Sequence, residues 1–209
     1  MEYSHLYKRI KRVNFDNRAK EWDKLDRRVI LAKNVAKAIY ESIPFDNNMK
    51  IVDMGAGTGL LLRELLPYTG KAIAIDTSAK MLKELRSKVP KDANIDTIQS
   101  DIIDITLNDI DLIVSSMTMH HIKDLEILFK KLYSFLKKGG YIAIADLMPE
   151  DGSFHSHGNE GVYHFGFEKE RLIDICKNAG FCDIDYKKVH TVKKLSGEYG
   201  IFLLTAKKY

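Results

Sequence analysis

The chain has 209 residues, of which 45% are hydrophobic and 30% charged, a composition typical of one folded domain with a sizeable core. The formal net charge is only +4, and the basic residues form no single block, so a nucleic-acid partner is disfavoured. Two cysteines imply no disulfide framework. No apolar stretch resembles a signal peptide or approaches the roughly 20 residues of a membrane helix, so we expect a cytoplasmic protein without a membrane span.

Short apolar runs alternate with helical patterns through most of the chain. Apolar residues from Leu25 to Ile39 predict a first helix with one apolar face. The predicted strands after it cover 50–54, 71–76, 95–99, 110–116 and 140–146, and the helices between them lie near 59–66, 78–89 and 124–137. The runs are almost continuously Ile, Val, Leu and Ala, which suits parallel strands buried on both faces.

The last part of the chain predicts a change of strand direction. A helix near 168–179 is followed by strands at about 182–193 and 199–207, and Gly197 marks the turn of an antiparallel hairpin. The sequence therefore predicts a single α/β domain, doubly wound and Rossmann-like, with a mostly parallel seven-stranded sheet and helices on both faces. Its predicted parts are a helical cap (1–45), a ligand-binding core (48–147), a loop (148–167), and a final helix and hairpin (168–209).

A glycine-rich loop follows the first predicted strand. It runs from Asp53 to Gly59 and contains Gly55, Ala56 and Gly57, which allow a tight turn and close approach of a ligand. The following helix start suits an anion, either a phosphate or an amino-acid carboxylate. Asp76 ends the second strand, where a carboxylate can accept hydrogen bonds from ribose hydroxyls. This pattern predicts a nucleoside ligand and fits a nicotinamide dinucleotide as well.

Three features favour S-adenosylmethionine over a dinucleotide. The glycine spacing is G-x-G-x-G after an acid, and Leu60 occupies the third glycine position of the dinucleotide pattern. Asp101 follows the third strand, where its carboxylate can accept from an adenine amino group. The predicted sheet also ends in an antiparallel hairpin after its fifth parallel strand.

Five stretches, taken in order, resemble the class I S-adenosylmethionine-dependent methyltransferases, particularly the small ubiquinone-biosynthesis-like group. They are 51–65 (IVDMGAGTGLLLREL), 72–85 (AIAIDTSAKMLKEL), 98–105 (IQSDIIDI), 111–124 (DLIVSSMTMHHIKD) and 135–147 (FLKKGGYIAIADL). The resemblance implies S-adenosylmethionine as cofactor and S-adenosylhomocysteine as product. A nicotinamide dehydrogenase is disfavoured by the glycine spacing.

The resemblance also implies a set of cofactor contacts. Residues expected at the methionine part are Asp53, Gly55 and Gly57, within the loop that includes Ala56 and Gly59. Those expected at the ribose and adenine are Asp76, Thr77, Met81, Asp101 and Ile102, and those facing the sulfonium are Ser116 and Met117. Taken alone, Asp101 also fits a turn cap and Met81 a core residue. In the segment from Phe15 to Asp23, Trp22 is expected either to cover the cofactor or to fasten the N-terminal helix.

Candidate acceptor-side residues follow the fourth and fifth strands. His120 is one candidate, and we expect its neighbour His121 to serve packing. In the loop 151–167, His155 and His164 are candidate bases or acceptor-orienting groups, with Tyr163 assisting. The competing interpretation is a loop ordered by its own aromatic residues. A metal site of His155, His157, His164 and Glu160 is the less favoured alternative, so no metal is predicted.

The leading prediction is methyl transfer to O, N or S of a small-molecule acceptor, by in-line displacement with a histidine as possible base. An RNA methyltransferase is an alternative, with the basic residues from Lys8 to Arg12 as contact surface. The four residues 115–118 (SSMT) do not form the Asn/Asp-Pro-Pro-Tyr-like tetrad, and this argues against methylation of a base amino group. A non-catalytic S-adenosylmethionine-binding protein is the other alternative. The protein is expected to be a monomer or a homodimer.

Overall fold

A computed structural model describes residues 15–155 and 158–209. Seven strands form one sheet in the order β3-β2-β1-β4-β5-β7-β6. The strands are β1 (Lys50–Met54), β2 (Lys71–Asp76), β3 (Ile95–Gln99), β4 (Ile110–Ser116), β5 (Leu136–Leu147), β6 (Phe181–Lys194) and β7 (Gly197–Lys208). The helices are α1 (Asp26–Ser42), α2 (Leu60–Leu65), α3 (Ala79–Lys88), α4 (Leu125–Phe135) and α5 (Lys169–Ala179).

The strand order reverses at the centre of the sheet. β1 pairs in parallel with β2 on one side and with β4 on the other, so the chain moves outward in both directions from β1. Open sheets of this kind bind ligands at such a reversal, outside the carboxyl ends of the strands. β7 pairs antiparallel with both β5 and β6, as the predicted hairpin requires. The predicted doubly wound α/β fold is confirmed.

Alternate residues of the buried strands face two separate cores. Val52 of β1 packs in the core that includes α4 and α5, whereas the adjacent Ile51 packs in the core that includes α1 and α2. Leu82 and Leu85 of α3 form a third apolar cluster with Leu62 of α2. Successive side chains of a strand point to opposite faces, so a continuous apolar run satisfies both layers.

Two predicted boundaries are wrong. The fourth predicted helix ends at Phe135 rather than 137, because Leu136 already pairs with Ile110 of β4. Gly139 and the residue after it lie within β5, at an irregularity in the ladder, and do not end the helix. The hairpin turn is formed by residues 195–196, and Gly197 is the first residue of β7.

Within residues 15–155 and 158–209, no helix is long and apolar enough to cross a membrane. The division of the chain into cap, core, loop and hairpin stays a prediction, and residues 1–14 of the cap lie outside the described residues.

The apolar face of α4 predicts a difference between two substitutions on that helix. Phe129 is 0% exposed, whereas Ile127 on the opposite face is 52% exposed. We expect Phe129→Ala to lower the free energy of unfolding by about 3–5 kcal/mol, because it leaves a cavity in the core. Ile127→Ala should change it by less than about 0.5 kcal/mol. Urea unfolding measures both, and equal losses would contradict this packing.

Candidate active site

The glycine loop after β1 is fastened to the end of β2. The backbone N–H groups of Gly55 and Ala56 both donate to the Ile75 carbonyl, at 2.8 and 3.0 Å. Gly57 donates its N–H to the Asp76 carboxylate at 2.8 Å. The loop therefore has one position relative to β2, as a preorganised ligand site requires.

Two glycines of this loop differ in what surrounds them. Both have positive φ, 72° at Gly55 and 54° at Gly57, which side chains rarely adopt. A Cβ at Gly55 would overlap the Thr118 side chain, so the glycine there serves internal packing. A Cβ at Gly57 would meet no protein atom within 4 Å, so the backbone at Gly57 faces open space.

Asp76 is the hydrogen-bonding centre of the β2 end. Besides the Gly57 amide, its carboxylate accepts the Ser78 N–H at 2.8 Å. Burial raises the pKa of Asp76, and the backbone hydrogen bonds from Ser78 and Gly57 oppose that shift. Ser78 caps α3 by accepting the Met81 N–H at 3.1 Å, and its hydroxyl donates to Asp16. A carboxylate has about four acceptor positions, so Asp76 retains capacity for ligand hydroxyls.

Asp53 is a buried acid with an unused oxygen. It is 2% exposed, and its Oδ2 has no hydrogen-bond partner among the described residues. Burial, with a smaller contribution from the charge of Asp76, raises the pKa of Asp53 to about 8. Such a group is stabilised by a cationic ligand atom that can donate hydrogen bonds to it.

The other predicted ligand residues lie along the same edge of the sheet. Asp101 caps the 3₁₀ segment Ile102–Asp104 by accepting the Ile103 N–H at 3.2 Å, and Ile102 is buried in the core. Met81 is also buried, and the Thr77 carbonyl accepts a hydrogen bond from Gln99 at 3.3 Å. Asp101 is thus a turn cap and Met81 a core residue, the structural roles that the sequence also allowed. Their ligand roles stay predictions.

Ser116 and Met117 end β4, next to the glycine loop. Met117 has φ 58°, an uncommon conformation for a residue with a side chain, and its N–H bonds to the Ala145 carbonyl at 2.9 Å. The Ser116 carbonyl accepts from Thr118, whose hydroxyl also reaches the Gly55 carbonyl at 3.4 Å. These bonds hold the turn after β4 directly against the loop after β1.

The 3₁₀ segment Phe15–Lys24 is anchored over the glycine loop. Asp23 accepts a hydrogen bond from the Thr58 hydroxyl of that loop. The same carboxylate forms ion pairs with Arg63 of α2 at 2.7 Å and Lys88 of α3 at 3.0 Å. A cover attached by one carboxylate to the loop and to two helices has a defined position.

Aromatic contacts extend this cover toward the histidines after β4. The Trp22 ring stacks on the Arg28 guanidinium at 3.6 Å and packs edge-on against Phe15 at 5.9 Å. Phe15 in turn packs against His121, with ring centroids 5.5 Å apart. Trp22 therefore fastens the segment to α1 through Arg28, while Phe15 carries the cover across to the other half of the edge.

Three histidines meet at the carboxyl ends of β4 and β5. One ring nitrogen from each of His120, His121 and His155 lies within 4.8 Å of those of the other two. His120 is 2% exposed, and its Nδ1 lies 2.8 Å from Oδ1 of the buried Asp146. The His121 Nδ1 lies 2.8 Å from the Gly161 carbonyl oxygen. Burial lowers the pKa of both His121 and His155 to about 4, so both rings are neutral near pH 7.

Sequence reasoning did not include Asp146, and it assigned His121 to packing alone. The signal for Asp146 was a single acid inside the apolar run YIAIADL of β5. Its carboxylate also accepts the backbone N–H groups of His120 and Leu147, at 3.2 and 2.8 Å. Asp146 thus fixes both the backbone and the ring of His120.

The other nominated residues lie outside this cluster. The His164 Nε2 bonds to the Ile122 carbonyl oxygen at 2.9 Å, and its ring packs against Phe167. Tyr163 is 55% exposed. The alternative metal set is not the one brought together among the described residues, because His155 joins His120 and His121 rather than His164 and Glu160. His157 lies outside the described residues.

The loop that carries His155 is held by the C-terminal hairpin. Lys194 of β6 donates to the Phe154 carbonyl and lies 3.5 Å from the centre of the Phe154 ring. The Ser153 hydroxyl bonds to the Tyr199 hydroxyl at 2.7 Å. Phe154 also packs edge-on against Tyr199 at 5.2 Å and against His155 at 5.0 Å.

Residues 52–144 match the family model described as "Methyltransferase domain". An uncharacterized methyltransferase from Schizosaccharomyces pombe is 31% identical over 157 residues, 66% of this chain and 55% of that protein. A malonyl-(acyl-carrier protein) O-methyltransferase from Priestia megaterium is 28% identical over 192 residues, 83% of this chain and 69% of that protein. The chain thus spans little more than half of its yeast relative.

Solved structures share the fold at lower sequence identity. A chain from the complex between the Haloferax volcanii Trm112 methyltransferase activator and a methyltransferase matches with a TM-score of 0.75 and 18% identity, covering 94% of this chain and 98% of that one. Haemonchus contortus phosphoethanolamine N-methyltransferase 2, in complex with S-adenosyl-L-methionine, matches with a TM-score of 0.70 and 17% identity, covering 94% and 60%.

The sheet order and the similarity to solved structures define a Rossmann-like fold, and residues 52–144 within it match a methyltransferase domain. The family model matches residues 52–144, and it supports the predicted class I S-adenosylmethionine-dependent methyltransferase family together with the methyltransferase relatives.

Burial of Asp53 predicts a pH dependence of stability in the protein without cofactor. Its carboxyl pKa rises from an ordinary 3.8 to about 8, so between these values the folded state retains a proton that the unfolded state releases. The free energy of unfolding should therefore decrease as pH rises through this range. Asp53→Asn should remove this contribution, on the order of 1 kcal/mol per pH unit, and be the more stable variant near pH 8.

Thermal melting of the wild type and Asp53→Asn from about pH 5 to pH 8 measures this difference, since the other titrating groups are common to both. Melting curves that shift in parallel for the two proteins would show that the Asp53 pKa is ordinary.

Proposed function

We propose that this enzyme transfers the methyl group of S-adenosylmethionine to O, N or S of a small-molecule acceptor. The observation that carries the proposal is the division of one sheet edge into two adjoining halves. The first half, after β1 and β2, contains the unpartnered oxygen of Asp53 and the open backbone at Gly57. The second half, after β4 and β5, contains the cluster of His120, His121 and His155.

The first half suits the groups of S-adenosylmethionine. Its ammonium can donate to Asp53 and neutralise a buried carboxylate, and its ribose hydroxyls can donate to Asp76. The open space at Gly57 allows the ligand to contact the backbone closely. Thr77, Met81, Asp101 and Ile102 then border the adenosine. A dinucleotide would instead bring a pyrophosphate, an anion that cannot donate a hydrogen bond to Asp53.

Methyl transfer needs alignment more than it needs chemical groups. The acceptor atom attacks the methyl carbon with its lone pair, the carbon–sulfur bond breaks, and S-adenosylhomocysteine leaves as a neutral thioether. The acceptor's proton, where it has one, passes to a base or to water. Ser116 and Met117 would face the sulfonium, because their turn is bonded to the glycine loop. The cover formed by Phe15 and Trp22 would exclude water from this edge.

The second half provides neutral imidazoles for the acceptor. Among the nominated residues, His155 is favoured as the group that contacts the acceptor, because its Nδ1 is buried without a hydrogen-bond partner among the described residues. The ring of His164 and the exposed Tyr163 would shape the rim instead. The phenyl ring of Phe15 packs against His121 and so places an aromatic side chain beside the histidines, which favours a compact acceptor.

Both alternatives lead to different measurements. The basic residues from Lys8 to Arg12 that would contact RNA lie outside the described residues, and an RNA substrate predicts salt-sensitive retention on RNA. A non-catalytic binding protein predicts cofactor binding without product formation. A monomer or a homodimer stays the prediction for the assembly.

Cofactor binding is tested by calorimetry with S-adenosylmethionine, S-adenosylhomocysteine and NAD. We expect the wild type to bind the first two and not NAD. Gly57→Ala should weaken S-adenosylmethionine at least about tenfold, equivalent to about 1.4 kcal/mol, because its methyl group enters the ligand space. Gly57 is a cleaner position for this test than Asp76, because the Asp76 carboxylate also holds the glycine loop through the Gly57 N–H.

Gly139→Ala is the matched control for this experiment. Gly139 also has positive φ, 79°, and a Cβ there would likewise meet nothing within 4 Å, but it lies in β5. The control should therefore have a similar backbone cost and unchanged affinity. Equal affinities of Gly57→Ala and the wild type would contradict the cofactor position, and binding of NAD alone would overturn the proposed function.

Turnover is tested by S-adenosylhomocysteine formation with a panel of small hydroxyl, thiol and amine acceptors. With an acceptor that reacts, we expect His155→Ala to lower kcat by roughly 10²–10⁴-fold and to leave the affinity for S-adenosylmethionine unchanged. His190→Ala is the control, because that ring bonds to Asn34 on another part of the surface. Full turnover in both His155→Ala and His164→Ala would show that neither His155 nor His164 acts on the acceptor.

A further inference from the structure

Three imidazoles, one buried and two partly exposed, bring their ring nitrogens together at the carboxyl ends of β4 and β5. In the part of the chain that the structure describes, one group of side chains could hold a metal ion. It consists of His120, His121 and His155, and one ring nitrogen of each lies within 4.8 Å of those of the other two. The ring centroid of His120 lies 4.1 Å from that of His121 and 5.1 Å from that of His155. No carboxylate belongs to the group, so the nitrogen atoms are its donors.

Two of these rings are oriented by a hydrogen bond at one ring nitrogen, Nδ1. The Asp146 carboxylate and the Gly161 carbonyl can only accept, so His120 and His121 each carry a proton on Nδ1. In the neutral ring the Nε2 atom then has a free lone pair. Histidine ligands of metal ions typically have this second hydrogen bond, to a carboxylate or to a backbone carbonyl, and it fixes the tautomer and the ring direction.

The third ring is oriented by packing and lacks such a bond. His155 packs between Phe154 and His120, and its buried Nδ1 has no hydrogen-bond partner among the described residues. A buried polar atom normally has a partner. A metal ion held by the three imidazoles would supply one, with a rotation of the His155 side chain shortening the bonds to the usual length of about 2.0–2.1 Å.

We propose that His120, His121 and His155 bind one divalent transition-metal ion, of which Zn²⁺ is the type that fits three imidazoles best. Imidazole nitrogens favour zinc and its neighbours over magnesium and calcium, which prefer oxygen ligands. Three protein ligands leave a fourth tetrahedral position open, as in catalytic zinc sites rather than structural ones. This site differs from the alternative predicted from the sequence, which used His164 and Glu160.

The open position would face the methyl acceptor, and this consequence rests on the proposed function. A hydroxyl or thiol of the acceptor bound there would lose its proton to water more readily, because the cation stabilises the resulting anion. The oxygen or sulfur then forms its bond to the methyl carbon as the bond from that carbon to the sulfonium breaks. A coordinated His155 would position the acceptor through the metal and would not itself accept the proton.

Metal binding is measured on the full chain without an affinity tag, after treatment with a chelator and dialysis. The probes are Zn²⁺ by calorimetry and elemental analysis, and Co²⁺ by its visible absorption, which is intense in tetrahedral sites. We expect one ion per chain in the wild type. His155→Ala should bind at least about tenfold more weakly, and Asp146→Asn should weaken binding by about 10–100-fold through its effect on His120.

The controls separate this proposal from the alternatives. His164→Ala and His190→Ala should retain the affinity of the wild type, because their rings bond elsewhere. The proposal is overturned if the wild type binds no ion, if His155→Ala binds as tightly as the wild type, or if His164→Ala loses the ion. Calorimetry of S-adenosylmethionine on the same His155→Ala sample should show unchanged affinity, which confirms that the variant is folded. Failure of S-adenosylmethionine to bind the wild type would reject the proposed function and leave the metal result standing.

Discussion

The hydrogen bonds between the glycine loop and the end of β2 are the constraint from which the rest of the edge follows. Gly55 and Ala56 share the Ile75 carbonyl, and Gly57 bonds to Asp76. With the loop fixed, Thr58 is placed to bond Asp23, and the N-terminal segment gains its anchor. That segment then carries Phe15 to His121. One set of backbone contacts at the centre of the sheet therefore orders both halves of the site.

Buried acids act differently in the two halves. Asp146 is completely buried, but its carboxylate accepts three hydrogen bonds. Two come from the backbone N–H and the ring of His120, and one comes from the backbone N–H of Leu147. Asp53 is buried almost as deeply and has an oxygen without a partner among the described residues. A satisfied buried carboxylate orients its neighbours, whereas an unsatisfied one favours the arrival of a cation. The same residue type thus supports its neighbours in one half and, under the proposed function, binds the ligand in the other.

The sequence predicted the parts of the molecule that depend on local pattern. Apolar runs located the central strands β1, β2, β4 and β5, because strands buried on both faces need apolar residues at almost every position. The loop from Asp53 to Gly59 was recognisable because its positive φ angles require glycine. The boundary between α4 and β5 was missed, since the glycines of a β-bulge and of a helix end look alike in sequence.

The histidine group could not be predicted in this way, because its members come together only through the sheet. His121 and His155 are separated along the chain by α4 and β5, and the parallel pairing of β4 with β5 brings them to one edge. The partner of His120 is Asp146, an acid within a strand whose other residues are apolar. Its role follows from the register of the two strands, which depends on tertiary packing.

The attachment of the His155 loop to Lys194 and Tyr199 has a consequence for how the enzyme is made during synthesis. β6 and β7 follow every other strand in the chain, and β7 must insert between β5 and β6. Translation delivers residues from the N-terminus, so the first half of the edge, after β1 and β2, can form while the hairpin is still in the ribosome. The second half, which contains His155, is completed only when β7 has docked. A nascent or truncated chain of this kind would have the first half of the edge, where we propose that the methyl donor binds, without a complete second half.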